Sequence, residues 1–260
     1  MLDLRLENWQ KKLVETPPGG RAIALCARQA GKTTATAVAV SHCMVFQNET
    51  TSLFLSPTQR QSAEGVRRVR QCLVKSNVKL KSDNAFSLEL ENGSRVLALP
   101  GASDDGIRGL SISGCLVFDE AARVSTDLFH AALPMVSRFS KTARIFAVST
   151  AWAAQGWYYR LWMEGEGWAH IRADITECGH LSKDDIERER QTLGEMAFRR
   201  EYLCEWDQTE QRFFDPGSIA SAFGESGILE AGVESTGEDP IVGTQRAFGN
   251  PFKEMRFGRV

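Results

Sequence analysis

Cys26-Ala27-Arg28-Gln29-Ala30-Gly31-Lys32-Thr33-Thr34 is the stretch on which the fold turns. It follows the apolar run Ile23-Ala24-Leu25 and precedes a helix-like stretch, 33–46. A strand, a tight turn ending in Gly-Lys-Thr and a helix make a phosphate cradle. The backbone N–H groups of the turn and of the helix N-terminus converge on one anion. Gln29, Ala30, Gly31 and Thr34 belong to that cradle, Lys32 reaches toward the β- and γ-phosphates, and the Thr33 hydroxyl offers a Mg²⁺ position. The pattern GxxxxGK[ST] is broken once, because Cys26 stands where the first glycine is usual. A free thiol beside phosphates would make activity sensitive to oxidation.

A carboxylate pair follows downstream. Cys115-Leu116-Val117-Phe118 ends in Asp119-Glu120. Apolar residues ending in two acids read as a buried parallel strand that delivers carboxylates to its C-terminal edge. Ligands of open α/β sheets bind at that edge. Asp119 is then the Mg²⁺ residue, and Glu120 the general base that polarises an attacking water. The cradle and the pair together predict nucleotide hydrolysis.

The composition is that of an ordinary globular chain: 260 residues, 42% hydrophobic and 25% charged. No apolar stretch is long enough for a bilayer, and Met1-Leu2-Asp3-Leu4-Arg5 lacks the layout of a signal peptide. Six scattered cysteines without a CxxC pair read as buried free thiols in a reducing compartment rather than metal ligands. A net charge of −2 means that any DNA contact comes from a local patch.

Strands and helices alternate. A short helix over 6–14, strands over 21–25 and 51–55, a hairpin of 86–90 with 95–99 around Asn92-Gly93, and buried strands over 115–118 and 143–148 are expected. Ser56-Pro57-Thr58-Gln59 reads as a capping box opening a helix that carries Arg60, Arg67, Arg68, Arg70 and Lys75. That helix is either a DNA-facing patch or a solvated face. A single charged helix capped by Ser182 is expected over 182–204. The alternation argues for an α/β fold, a mostly parallel sheet with helices on both faces. Beyond Phe214 the sequence turns glycine-rich and acidic. Its last stretch mixes Arg246, Lys253, Arg256 and Arg259 with phenylalanines, as either a flexible tail or a nucleic-acid contact.

Other residues bear on the site. Gln10 can read both edges of adenine with Trp9 behind it, or it is a surface residue of a packed helix. Arg28 is either an arginine finger in cis or the partner of a structural acid. Ser149-Thr150 ends a strand beside Asp119-Glu120, as a sensor of the γ-phosphate or as a plain strand-end cap. The glycine-rich loop 101–109 brings Arg108 toward phosphate or DNA, or is simple surface. The aromatics of 151–167 pack a moving lid or belong to a fixed core.

Trp9-Gln10, Arg28-Gln29-Ala30-Gly31-Lys32-Thr33, Ser56-Pro57-Thr58-Gln59, Ile107-Arg108-Gly109, Val117-Phe118-Asp119-Glu120-Ala121-Ala122, Ser149-Thr150 and Phe198-Arg199-Arg200-Glu201-Tyr202-Leu203 occur in that order. Over about residues 5–215 this resembles the ATPase domain of the large terminase subunit of tailed bacteriophages. The resemblance implies a P-loop NTPase of the additional-strand type over 1–208, followed by a linker and irregular tail over 209–260. It implies ATP and Mg²⁺ as ligands and double-stranded DNA as cargo driven into a procapsid. A portal protein and a small terminase subunit are the implied partners, with a homo-oligomeric ring when docked, in the cytoplasm of the bacterial host and away from membranes. It also implies roles: Lys32 and Thr33 on phosphate and Mg²⁺, Asp119 on Mg²⁺, Glu120 as base, Arg28 as finger, Gln10 on adenine, Ser149 and Thr150 in coupling. Relatives usually continue into a nuclease domain with spaced carboxylates for two metal ions. The acids after residue 214 show no strand pattern, so no nuclease activity is expected of this chain. Two other readings stand beside the motor: a helicase-like ATPase, and a truncated remnant that binds nucleotide without moving DNA.

Overall fold

The computed structural model describes residues 5–100, 109–179 and 182–207, all within one unit, Met1–Phe213. The loop 101–108 with Arg108 and the tail 208–260, with the readings attached to them, lie outside the described residues.

The chain runs α1 (Asn8–Val14), β1 (Arg21–Cys26), α2 (Lys32–Phe46), β2 (Thr51–Ser56), α3 (Gln59–Lys75), β3 (Leu80–Asn84), β4 (Ser87–Leu90), β5 (Arg95–Pro100), β6 (Cys115–Asp119), α4 (Thr126–Ala132), β7 (Arg144–Ser149), α5 (Gly156–Glu164), β8 (Ala169–Ala173), α6 (Lys183–Leu193) and α7 (Glu195–Tyr202). Short 3₁₀ turns span Ala121–Arg123, Leu133–Phe139 and Ile175–Glu177. One eight-stranded sheet has the order β3-β4-β5-β2-β6-β7-β1-β8. All neighbours from β5 to β8 pair in parallel; β3-β4 and β4-β5 are antiparallel.

The apolar runs are explained by burial on both faces. Every residue of β2, β6 and β7 is buried. The two-residue period of a strand divides them between two cores. Ala22, Ala24, Phe54, Val117 and Phe146 face a layer with Trp9, Val40, Met44 and Val66 from α1, α2 and α3. Ile23, Leu53, Phe118 and Ile145 face Leu128, Phe129, Trp157 and Tyr158 from α4 and α5. Trp157 stacks on Phe129 at 3.9 Å between centroids and donates to the Val124 carbonyl at 2.8 Å. The Tyr158 hydroxyl donates to the Ala24 carbonyl at 2.8 Å. These two aromatics of 151–167 are therefore fixed core rather than lid.

Three expectations are corrected. Ser56 does not cap a helix: it is the last residue of β2, and Thr58 caps α3 by accepting from the Gln61 N–H. The single helix over 182–204 is broken at Gly194, whose φ of 74° and ψ of 161° leave the helical region and separate α6 from α7. Ser182 does open α6, in a capping box with Asp185. Two edge strands were missed. β3 exposes four of its five residues and β8 buries only Ile171 and Ala173, so neither shows an apolar run. All six cysteines are buried and free.

Candidate active site

The phosphate loop is held from three sides. The Ala27 N–H donates to the Ala173 carbonyl of β8 at 2.7 Å, and the Arg28 N–H to the Glu201 carbonyl of α7 at 2.6 Å. On the third side stands Gln10 of α1, only 8% exposed. Its Nε2 donates to the Ala30 carbonyl at 3.2 Å while its Oε1 accepts from the Glu7 N–H at 2.9 Å. Gly31 caps α2 at φ 88°, and a Cβ there would come within 2.7 Å of Gln10 Nε2. The backbone conformation favours glycine here, and a side chain would also push the Gln10 amide aside. In this arrangement Gln10 braces the loop, and its second N–H is what remains for a base. Trp9, 1% exposed, is core and donates to Glu7.

Lys32 is 7% exposed, and its Nζ donates to the Ala27 carbonyl at 3.3 Å. Thr33 Oγ1 donates to Asp119 Oδ2 at 2.8 Å across 86 residues of sequence. That bond joins the phosphate loop to the carboxylate strand. Burial pushes the Asp119 carboxyl up to about 6, against the Thr33 hydrogen bond. Glu120 follows in the left-handed region, φ 52° and ψ 43°. Gln29 in the loop is also left-handed at φ 59°. Side chains held there carry about 1–3 kcal/mol of strain, which gathers at functional sites.

β6 lies between β2 and β7, with Phe118 level with Leu55 and Asp119 level with Val148. Ser56 and Ser149 therefore end the strands on either side of the carboxylates. Both hydroxyls are buried without a hydrogen-bond partner among the described residues. Orphaned buried hydroxyls are uncommon and call for a partner of another kind. An oxygen-rich edge with a threonine and an aspartate already in contact fits Mg²⁺.

A pocket of about 380 Å³ opens at this edge, lined by Gln29, Gly31, Lys32, Thr33, Thr34 and Glu120, together with Glu64 and Arg68 of α3. Asp119, Ser149 and Thr150 lie buried beside it. Arg28 is exposed, and its guanidinium makes no ion pair among the described residues; the structural-acid reading therefore finds no partner there. A larger cavity of about 550 Å³ sits at the other end of β1 and β7, beside Arg21 and Ile145. It is far from the edge where α/β sheets bind ligands.

Sequence reasoning placed Arg68 in a basic face and passed over Glu64 and the Arg123–Trp152–Arg200 group. Glu64 takes two bonds from Arg67, at 2.6 and 2.7 Å, and one from Arg68 at 2.9 Å. Arg70 is held by Asp83 at 2.7 Å. The basic face of α3 is thus largely paired within the molecule. Arg123, three residues beyond Glu120, and Arg200 of α7 both lie over the Trp152 ring, at 4.1 and 4.3 Å from its centroid. Both guanidinium groups lie near Glu201, at 3.8 and 3.6 Å. The reactive-thiol expectation is overturned: Cys26 is 0% exposed, and burial pushes its thiol far above the ordinary range.

A family model, terminase large subunit of the T4-like-virus type, N-terminal part, matches residues 23–219. Among solved structures, the large terminase of a thermophilic bacteriophage in complex with ADP is similar at 19% identity and TM-score 0.68, covering 78% of this chain and 54% of that one. The large terminase ATPase domain of Thermus phage P74-26 is similar at 17% identity and TM-score 0.64, covering 79% and 96%. The large terminase of bacteriophage HK97 is similar at 19% identity and TM-score 0.61, covering 78% and 51%. The chain thus spans about half the length of two of these terminases. No curated protein matches the sequence. With its family model covering most of the chain and its sheet that of a P-loop NTPase, the chain belongs to the phage terminase large-subunit family and corresponds to its N-terminal part.

Proposed function

We propose that this chain hydrolyses ATP, with Mg²⁺, as the motor part that moves double-stranded DNA into a phage procapsid. The observation that carries this reading is the 2.8 Å bond from Thr33 to Asp119, which unites the phosphate loop with the carboxylate strand and sets Glu120 beside them.

The residues divide the work. The loop N–H groups and Lys32 neutralise the polyphosphate, and Lys32 exchanges the Ala27 carbonyl for phosphate oxygen as it does so. Thr33 and Asp119 would hold Mg²⁺, which when bound adds positive charge against the phosphates. Glu120 accepts a proton from the attacking water. Arg28 reaches from the loop toward the charge that develops on the transferred group, as a finger in cis. Gln10 stands against the base side of the loop. Ser149, with its unpaired hydroxyl, and Thr150 respond to loss of the γ-phosphate and pass it to the segment that begins at Ala151.

DNA is held by its phosphates, because a packaging motor accepts any sequence. A portal protein, a small terminase subunit and a ring of copies would complete the machine in the host cytoplasm. No helix of the described residues is long and apolar enough to cross a membrane. The bound ligand of one similar terminase, ADP, supports the nucleotide assignment.

The test is steady-state ATP hydrolysis with and without linear duplex DNA, for the parent and for Lys32→Ala and Glu120→Gln. Mg²⁺-dependent turnover that both substitutions abolish is the expected result. Turnover indifferent to Glu120→Gln would sink the assignment.

A further inference from the structure

We propose that Arg68 of α3 is a nucleotide-binding residue, resting on Glu64 in this structure and transferring to a phosphate when nucleotide binds. This rests on the nucleotide site proposed above and adds a second helix to it.

Glu64 and Arg68 line the same pocket as Lys32, Thr33 and Glu120. An acid facing a polyphosphate is repelled by it unless a cation neutralises it. Glu64 has two such cations, Arg67 and Arg68, so it can release one and keep the other. Arg67 already satisfies both carboxylate oxygens, at 2.6 and 2.7 Å. Arg68 is the looser partner. It donates only through Nε, at 2.9 Å, and its two terminal amino groups make no hydrogen bond among the described residues. Its side chain is 42% exposed and free to swing. A guanidinium fork with unused donors in a phosphate pocket is built for bidentate recognition of phosphate oxygens.

The exchange would also carry information. α3 packs on α2, whose N-terminus forms the cradle, and begins where β2 ends at the orphaned Ser56. When Arg68 leaves Glu64, the α3 surface changes from one carboxylate shared by two arginines to a single Arg67–Glu64 pair. Nucleotide state is then written on a helix outside the phosphate loop.

The probe is a fluorescent ADP analogue titrated in Mg²⁺ buffer into the parent, Arg68→Ala, Glu64→Gln and Lys32→Ala. Unfolding midpoints are recorded alongside, and the exposed pair is expected to leave them nearly unchanged. Loss of a charge-assisted phosphate contact should weaken binding about tenfold in Arg68→Ala. Glu64→Gln removes both the competitor and a like charge, and binding should tighten or hold. A purely structural ion pair predicts the same sign for both substitutions, so weakening by Arg68→Ala without weakening by Glu64→Gln supports the transfer. Every other pattern overturns it. If the parent binds and Lys32→Ala weakens it while Arg68→Ala does not, only the Arg68 assignment falls. If the parent binds no nucleotide, the proposed function falls with it.

Discussion

The C-terminal ends of the central strands and the outer hairpin of the same sheet are built on opposite plans. In the hairpin of β4 and β5 with β3 beside it, polar groups find partners locally. Lys81 meets Glu89 at 2.6 Å, Arg70 meets Asp83, and Asn84 accepts from the Phe86 and Ser87 N–H groups. At the C-terminal edge of β2, β6 and β7 the reverse holds. Ser56 and Ser149 have no hydrogen-bond partner among the described residues, burial raises the Asp119 carboxyl to about 6, and Glu120 is twisted into the left-handed region. One region spends its polar chemistry on its own stability, and the other keeps it in reserve. The difference sets the edge proposed to act on nucleotide apart from the rest of the sheet.

That contrast can be broken by substitution. The largest effect is expected for Glu120→Gln, where loss of the base should lower the rate of ATP hydrolysis about 10²–10⁴-fold with little change in nucleotide affinity. Retained turnover would remove the chemical half of the comparison. Next is Asp119→Asn, which should abolish Mg²⁺-dependent hydrolysis yet raise the unfolding midpoint in chelator at pH 8. The sign follows from burial: the folded state raises the carboxyl to about 6, so ionised Asp119 opposes folding above that pH. The native state binds the extra proton, so the stability gained by the substitution shrinks as pH falls below about 6. A gain of about 1–3 kcal/mol is expected, and a loss of stability would show that the carboxylate is structurally satisfied after all.

Ser149→Ala should be nearly neutral or slightly stabilising, within about 1 kcal/mol, because its hydroxyl makes no bond to lose. The change should appear instead as weaker DNA stimulation of hydrolysis. Smallest of all, Lys81→Ala in the hairpin should cost under about 0.5 kcal/mol and leave hydrolysis untouched, as expected of an exposed pair. A measurable loss of activity there would show that the two regions are coupled.

Legibility in the sequence followed the same divide. Gly31-Lys32-Thr33 and Asp119-Glu120 could be read because backbone cradles and strand-end acids demand those residues at those places, and the structure joins them through Thr33 and Asp119. Asn92-Gly93 marked the turn between β4 and β5 for an equally local reason. β8 was not legible, because His170 and Arg172 take its exposed face and leave only Ile171 and Ala173 buried, too few for an apolar run, and it is positioned by pairing with β1. Glu64 and Arg68 were hidden for another reason. A helical ion pair four residues apart looks like surface chemistry until the packing of α3 against α2 turns it toward the pocket. Arg123, Trp152 and Arg200 come from three separated segments and carry no shared local pattern.

That last trio supplies the molecule with an optical gauge. Indole emission follows the electric field across the ring, and Trp152 carries two cations over its ring from different segments, one just past the carboxylate pair and one on α7. Trp9, Trp157 and Trp168 are buried in the cores, while Trp162 and Trp206 are partly buried, so the signal of Trp152 is isolated by comparison with Trp152→Phe. Any shift that draws Arg123 or Arg200 from the ring alters the colour of a single tryptophan. The surroundings of Trp152 can therefore be followed by light alone, without a label.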